Sequence, residues 1–328
     1  MGGAQEAGPQ GLLEQRFTRE RTHFFFDRAL EAAGTVAPGE PFTVETADSL
    51  CGLVKSERDV FQSFSDLLER VGGANPVTGP IAIDGCRAGD WLAVTIVDIA
   101  PAPRSGRGWT MLIPGWGGLT HETYSVQDSL PPRTVIADVD RERVALELDG
   151  RRLELPSRPF IGTIGVAPAG ERRATLSQSP DYVGDVDIPA LRPGTTVVLR
   201  AQVDGGLLFL GDVHAVQGDA EITGVAVEVE ADVRLRVDVV PAGEGEYGRL
   251  PALETPEWLG VIAAFGGVPL TSCVRAGYAD LCGRLQRHHG YSREGAYMLL
   301  GQVGRVRVGN MVDPFYSCSV EIERRYLR

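Results

Sequence analysis

The run VAVEVEADVRLRVDVV, residues 225–240, alternates apolar and polar side chains almost without a break. Val225, Val227, Val229, Val233, Leu235, Val237 and Val239 fall on one face, with Glu228, Glu230, Arg234, Arg236 and Asp238 on the other. Successive side chains of a strand point to opposite faces, so this pattern is β structure with one buried and one wet face. It predicts a half-buried strand pair that turns near Ala231–Asp232. WLAVTIVDI (91–99), RVALELDG (143–150) and TVVLRAQV (195–202) are β-rich as well. Turns at Pro38-Gly39, Ala88-Gly89 and Pro193-Gly194 each lead into such a run, as antiparallel architecture requires. Three segments carry a helical period instead. In 56–71 the apolar positions share one helical face, with Ser56 as the expected N-cap; residues 270–287 form a second helix, and a third runs from Ser292 to about Val303. PAPRSGRG (101–108) is expected as a loop. The expected fold is mainly β (α+β): a β-sandwich or barrel body over residues 15–245, a smaller α+β part over 246–328, and a flexible tail over 1–14.

A chain of 328 residues with 43% apolar content can bury a sizeable core. Its net charge of −12 argues against nucleic acid or an anionic membrane as partner. No apolar run approaches the roughly 20 residues that cross a bilayer. Five cysteines without a CxxC pair argue against a disulfide framework and for a reducing compartment. The segment MGGAQEAGPQG has no basic region followed by an apolar run, so a soluble cytoplasmic protein is expected. Lys55 stands alone among 31 arginines, which leaves little room for lysine chemistry. No G-x-S-x-G elbow is present, and Cys51 or Cys273 would need an adjacent base to act as nucleophile.

The densest polar chemistry lies in GDVHAVQGDAEITG, residues 211–224. Read as strand, turn at Gln217-Gly218 and strand, it brings Asp212, His214, Asp219 and Glu221 near one another. Imidazole and carboxylates suit zinc or another divalent ion, and equally suit acid–base work. A surface hairpin with solvated charges is the plainer reading, and the spacing alone leaves it standing. His121-Glu122 follow the Gly-rich IPGWGGLT, whose backbone is free to approach a substrate or simply to turn tightly. His288 and His289 close the second helix, where a histidine meets the helix C-terminus favourably.

GDVHAVQGDAE resembles the GD-x-HA-x-QGDGE segment of the acetamidase/formamidase family. PFIGTIGVAPAG (159–170) resembles that family's P-F-x-G-x-x-GVAP, and NPVTGPIAIDGCRAGDWLAV (75–94) its N-P-x-TGP segment. GTVAPGEPFTVETAD (34–48) and MVDPFYSCSVEI (311–322) match its early and late elements, in the right order along nearly the whole chain. Two positions depart: Ala220 replaces a usual glycine, and VGDVD (183–187) has Asp185 for a usual asparagine while keeping Asp187. The resemblance implies hydrolysis of small amides on a β-rich fold, in chains that are often homo-oligomers.

Amide hydrolysis needs a nucleophile, an oxyanion site and an acid for the departing amine. With no convincing serine, cysteine or lysine, water activated by a divalent metal, zinc above others, is the economical choice. The expected ligands are His214, with His23 and Asp48 carried by the resemblance. Glu221 or Asp219 is expected as general base and then proton donor. Gly162, Gly165, Asp187 and Gln217 are expected around a small-molecule amide. Two other outcomes remain open: a non-hydrolytic binding or scaffold relative, and a hydrolase of a lactam or larger amide.

Overall fold

A computed structural model describes residues 14–120, 126–127, 130–245, 247–312 and 314–327. Two large sheets carry almost all of the architecture. The first has nine strands, in the order Gln15–Phe17, Pro41–Thr46, Ala231–Val240, Trp91–Pro101, Thr196–Arg200, Ala252–Glu254, Trp258–Ala264, Phe315–Glu323 and Arg305–Val312. The second has twelve, with Phe160–Val166, Leu208–Val216 and Val227–Val229 side by side at its centre. One hydrophobic core lies between them. Val94, Ile96, Val233 and Leu235 from the first sheet share it with Ile161, Ile164, Phe209 and Val213 from the second. This is the mainly β sandwich that the alternating runs require. The Pro-Gly and Ala-Gly turns fall where expected: Gly39, Gly89 and Gly194 have φ of 83°, 99° and 90°, a region that glycine enters without strain.

The run at 225–240 folds differently from the expected strand pair. Val227–Val229 and Ala231–Val240 do not pair with each other; they belong to different sheets, and the chain crosses between them at Glu230. Alternation survives in the second half, where Ala231, Val233, Leu235 and Val237 are buried and Arg234 and Arg236 exposed. In the first half it fails. Glu228 is 2% and Glu230 6% exposed, so both leave the wet face that the pattern assigned them.

Helix α1 is shorter than expected, Phe64–Val71, and Ser63 rather than Ser56 caps it by accepting from the Asp66 N–H at 3.1 Å. Ser56 instead opens a turn held by Asp59, whose Oδ2 accepts the N–H groups of Lys55 and Ser56. Helices α2 (Leu270–His288) and α3 (Arg293–Val303) lie on the C-terminal strands of the first sheet, closing a second core around Leu281, Leu285, Leu300 and Val320. His288 is the last residue of α2 and His289 its C-cap, as expected for histidines at that end. Among the described residues no helix is long and apolar enough to cross a membrane. Residues 1–13 of the tail expected over 1–14, and the pair His121-Glu122, lie outside the described residues. Glu14 accepts hydrogen bonds from Thr43 and Arg234.

Gly277 lets α2 approach the sheet, because a β-carbon there would run into Val320 Cγ2. Alanine raises intrinsic helix propensity by about 1 kcal/mol, but Val320 is fully buried in a strand and cannot yield. Gly277→Ala is therefore expected to destabilise the chain by about 1–3 kcal/mol in denaturant unfolding, the range for overpacking. A stabilised variant would contradict this packing.

Candidate active site

The centre of the second sheet carries charge where a sheet normally carries none. Leu208–Val216 is buried along nearly its whole length, Asp212 and His214 included. Its register sets the neighbours: Phe160 stands opposite His214 on one side, and Glu228 opposite His214 on the other. One strand further, Asp185 stands opposite Thr163, which itself faces Gly211. Asp185, Asp187, Asp212, Glu221 and Glu228 thus gather around one imidazole, all buried. Three sets of ligand atoms lie within 4.8 Å of one another: Asp187, His214 and Glu221; Asp212, His214 and Glu228; Asp185, Asp187 and Asp212.

Hydrogen bonds orient the imidazole. Gln217 Nε2 donates to the carbonyls of Asp187 at 2.9 Å and Gly309 at 3.2 Å. Its Oε1, 2.8 Å from His214 Nδ1, therefore accepts, and Nδ1 carries the proton. Nε2 is left to face Asp212 Oδ1 and Glu228 Oε1 at 3.4 Å each and Asp187 Oδ1 at 3.9 Å. Phe160 packs edge-on against the ring. Outer contacts are satisfied too: Asn310 Nδ2 donates to Asp187 Oδ2 at 2.7 Å, and Thr163 Oγ1 lies 2.8 Å from Asp185 Oδ1 and 3.1 Å from Asp212 Oδ2. Yet Asp187 Oδ1, Asp212 Oδ1 and Glu228 Oε2 are buried with no hydrogen-bond partner. Unpaired buried carboxylate oxygens are costly, and three at one place make a donor set that could hold a cation.

The backbone is bent to build this cluster. Asp187, Asp212 and Glu221 have φ of 46°, 54° and 46°, and Ala220 has 78°. Such conformations cost non-glycine residues about 1–3 kcal/mol each and gather at functional sites. Gly162 supplies space: a β-carbon on it would stand 2.7 Å from both Asp187 Oδ1 and Asp212 Oδ2.

Charge is arranged accordingly. Burial, then the neighbouring carboxylates, hold Asp185 and Asp187 well above the ordinary carboxylate range. Burial does the same to Glu228. For His214 burial opposes the charged form, but Glu228 and Asp212 outweigh it and hold the imidazole well above its usual value. Burial would also raise Asp212, but His214 brings it below the usual range. Glu221 is raised by burial from 4.5 to about 7, where a carboxyl both takes and gives protons near neutrality. The cysteines stay thiols: burial raises Cys51, Cys273 and Cys282, lifts Cys86 to about 11 and pushes Cys318 to about 12.

Of the expected residues, the geometry brings together His214, Glu221, Asp187, Gln217 and Gly162. Asp219 lies apart: it is exposed and bonds Arg307 at 2.8 Å. The expected hairpin return does not form, because 217–226 is a loop and the strand resumes only at Val227. His23 and Asp48 belong to none of the three ligand groups. His23 pairs across from Val77 on a short strand, half-buried, with its pKa lowered by burial. Asp48 Oδ1 accepts the N–H groups of Leu50 and Gly52, and the side chain walls a cleft next to Glu228. Gly165 packs against Phe26 and the Tyr182 carbonyl, away from the cluster. Sequence reasoning missed Glu228 outright and saw Asp185 only as a departure. Asp212 shared a face with His214 on the expected hairpin but received no role.

Glu228 also borders open space. Together with Trp109 it walls a cavity of about 40 Å³ lined by Phe64, Met111, Ile113 and Trp116. Trp116 stacks on Phe64 with centroids 3.9 Å apart and donates from Nε1 to the Gly224 carbonyl, tying the Gly-rich segment to the site loop.

A buried histidine–carboxylate centre thus sits beside a small cavity on the two-sheet β sandwich. The acetamidase/formamidase family model matches residues 13–181 and 169–322, and the chain belongs to that family. It is similar to the acetamidase of Yersinia enterocolitica, with 33% identity, a TM-score of 0.86, and 97% and 94% of the two chains covered. It is similar also to the acetamidase of Bacillus halodurans, with 31% identity, a TM-score of 0.83 and 95% and 98% covered. The acetamidase of Mycolicibacterium smegmatis is 25% identical over 347 residues, with 83% of each chain covered. The chain is an amide hydrolase, acting on linear amide C–N bonds.

Carboxyls raised in the folded state bind protons more tightly there than when unfolded, so their stabilisation is present at low pH and lost as pH rises. Chelator-treated protein is expected to lose stability between about pH 4.5 and about pH 7, the interval through which Glu221 is displaced. Thermal unfolding across that interval checks it. The loss is expected to be smaller in Glu221→Gln, and an equal loss would contradict the raised carboxyl.

Proposed function

We propose that the chain hydrolyses its amide with water activated by a divalent metal, held by His214, Asp212 and Glu228 with Asp187 beside them. The observation that carries this reading is three buried, unpartnered oxygens, Asp187 Oδ1, Asp212 Oδ1 and Glu228 Oε2, on the same carboxylates that face His214 Nε2. One histidine among carboxylates suits zinc, the ion expected from the sequence. When bound, such an ion would polarise the amide carbonyl and lower the pKa of water.

The chain's own groups supply the rest. Gln217 keeps the proton on His214 Nδ1, so that Nε2 offers its lone pair to the cluster. Gly162 leaves room for Asp187 and Asp212 to converge. Glu221, with its carboxyl near neutrality, takes a proton from the attacking water and returns it to the departing nitrogen. The small apolar cavity next to Glu228 suits a short acyl or amide group. His23 and Asp48 remain outside this ligand set, and Asp219 outside the proton path. Free cysteines are in keeping with the cytoplasmic placement expected from the sequence. The exposed Tyr297 and Met298 of α3 support the homo-oligomer that the resemblance implies, because association would cover them.

Glu221→Gln is expected to lower kcat for acetamide or formamide by about 10²–10⁴, the range for a general base, with the folded state and bound metal retained. Ammonia release and circular dichroism measure this directly. A variant with full turnover removes Glu221 from the proton path.

A further inference from the structure

Glu228 borders a second space. A cleft of about 350 Å³ opens beside it, walled by Asp48, Lys55, Arg107 and Trp109 among others. Glu228 and Trp109 wall the apolar cavity as well, so the two spaces meet at the carboxylate that faces His214. The apolar cavity, at about 40 Å³, takes no more than a small group. The bulk of any larger amide must lie in the cleft.

The charges along the cleft do not balance. Arg16, Arg19 and Arg104 are matched by Glu45, Glu230 and Asp232: Arg19–Glu230 at 2.6 Å, Arg104–Asp232 at 2.8 Å, Arg104–Glu45 at 2.9 Å, Arg16–Glu45 at 2.7 Å, and Arg16 bonded also to Asp232. Lys55 and Arg107 remain, against Asp48 and Glu228, and Glu228 is turned to His214. Asp48 Oδ1 already accepts two backbone N–H groups. Lys55 and Asp48 both reach toward Gly52 without closing an ion pair, and Arg107 closes none among the described residues. Asp138, opposite Arg107 on the next strand, does not line the cleft. Positive charge without an ion partner among the described residues thus sits in a cleft beside the site of a chain with net charge −12. The chain's single lysine is one of its two sources.

We propose that this cleft selects amides bearing a carboxylate, with Lys55 and Arg107 as the specificity-determining cations. The proposal rests on the amide-hydrolase reading of the site. Arg107 offers a planar fork that matches a carboxylate, and Lys55 a mobile point charge. Their field favours entry of an anion that the rest of the surface repels. The acyl end then meets Glu228 and the metal ligands, while the charged end stays in the cleft.

Succinamate and butyramide, alike in their four-carbon chain and different in charge, test this. In the metal-loaded protein succinamate is expected to exceed butyramide in kcat/KM by at least about tenfold, an interaction of about 1.4 kcal/mol. In the Lys55→Met, Arg107→Gln double variant the ratio is expected to fall toward one, and added salt should erode it in the wild type. Equal use of the two amides by the wild type, or a ratio that the double variant keeps, overturns the proposal. Calorimetric binding of succinamate separates this from the hydrolase reading. Succinamate bound by the wild type and released by the double variant, with neither amide hydrolysed, upholds the cleft and sinks the hydrolytic reading. Absence of succinamate binding sinks the cleft whatever the turnover.

Discussion

Burying five carboxyl groups around one imidazole is the constraint on which this structure turns. A sheet interior solvates no charge, and a single histidine neutralises one carboxylate. Hydrogen bonds from Thr163, Asn75 and Asn310 satisfy some of the oxygens and leave three others bare. Either the carboxyls hold protons or a cation joins them. The raised pKa values of Asp185, Asp187, Glu221 and Glu228 describe the first state, and the bare oxygens describe the room for the second.

The fold serves this cluster at some cost to itself. Leu208–Val216 lies at the centre of the second sheet, so its polar residues are buried by strands on both sides rather than by a loop that could open. Left-handed turns at Asp187, Asp212 and Glu221 pull three carboxylates to one point, and Gly162 keeps the opposite wall thin. Asn310, from the C-terminal strands, reaches Asp187, while Gly309 holds Gln217. The far end of the chain therefore shapes the same site as its middle, and the sandwich acts as a rigid support for it.

The β character, the glycine turns and the second and third helices were legible because periodicity and turn chemistry act locally. The motif at 211–224 was legible as chemistry, since His214 and Glu221 do meet at the cluster. Glu228 was not: alternation assigns faces within a strand but does not say that a chain changes sheets at Glu230, which buries both faces of Val227–Val229. Asp219 looked equivalent to Glu221 because the turn was read as a hairpin, whereas the left-handed φ at Glu221 turns one inward and leaves the other to Arg307. Ser56 failed as a cap for a similar reason: Asp59, three residues on, held its turn outside the helix. In each case a contact distant in sequence, or a backbone conformation rare for that residue, outweighed the local pattern.

The most direct test of the central claim is elemental analysis of divalent metal per chain, in wild type beside His214→Ala and Asp212→Asn. The account predicts close to stoichiometric metal in the wild type and its loss in both variants, with the fold kept. A well-folded wild type that binds no divalent ion even when supplied in excess would contradict it, and would leave the buried carboxyls as a proton-holding cluster.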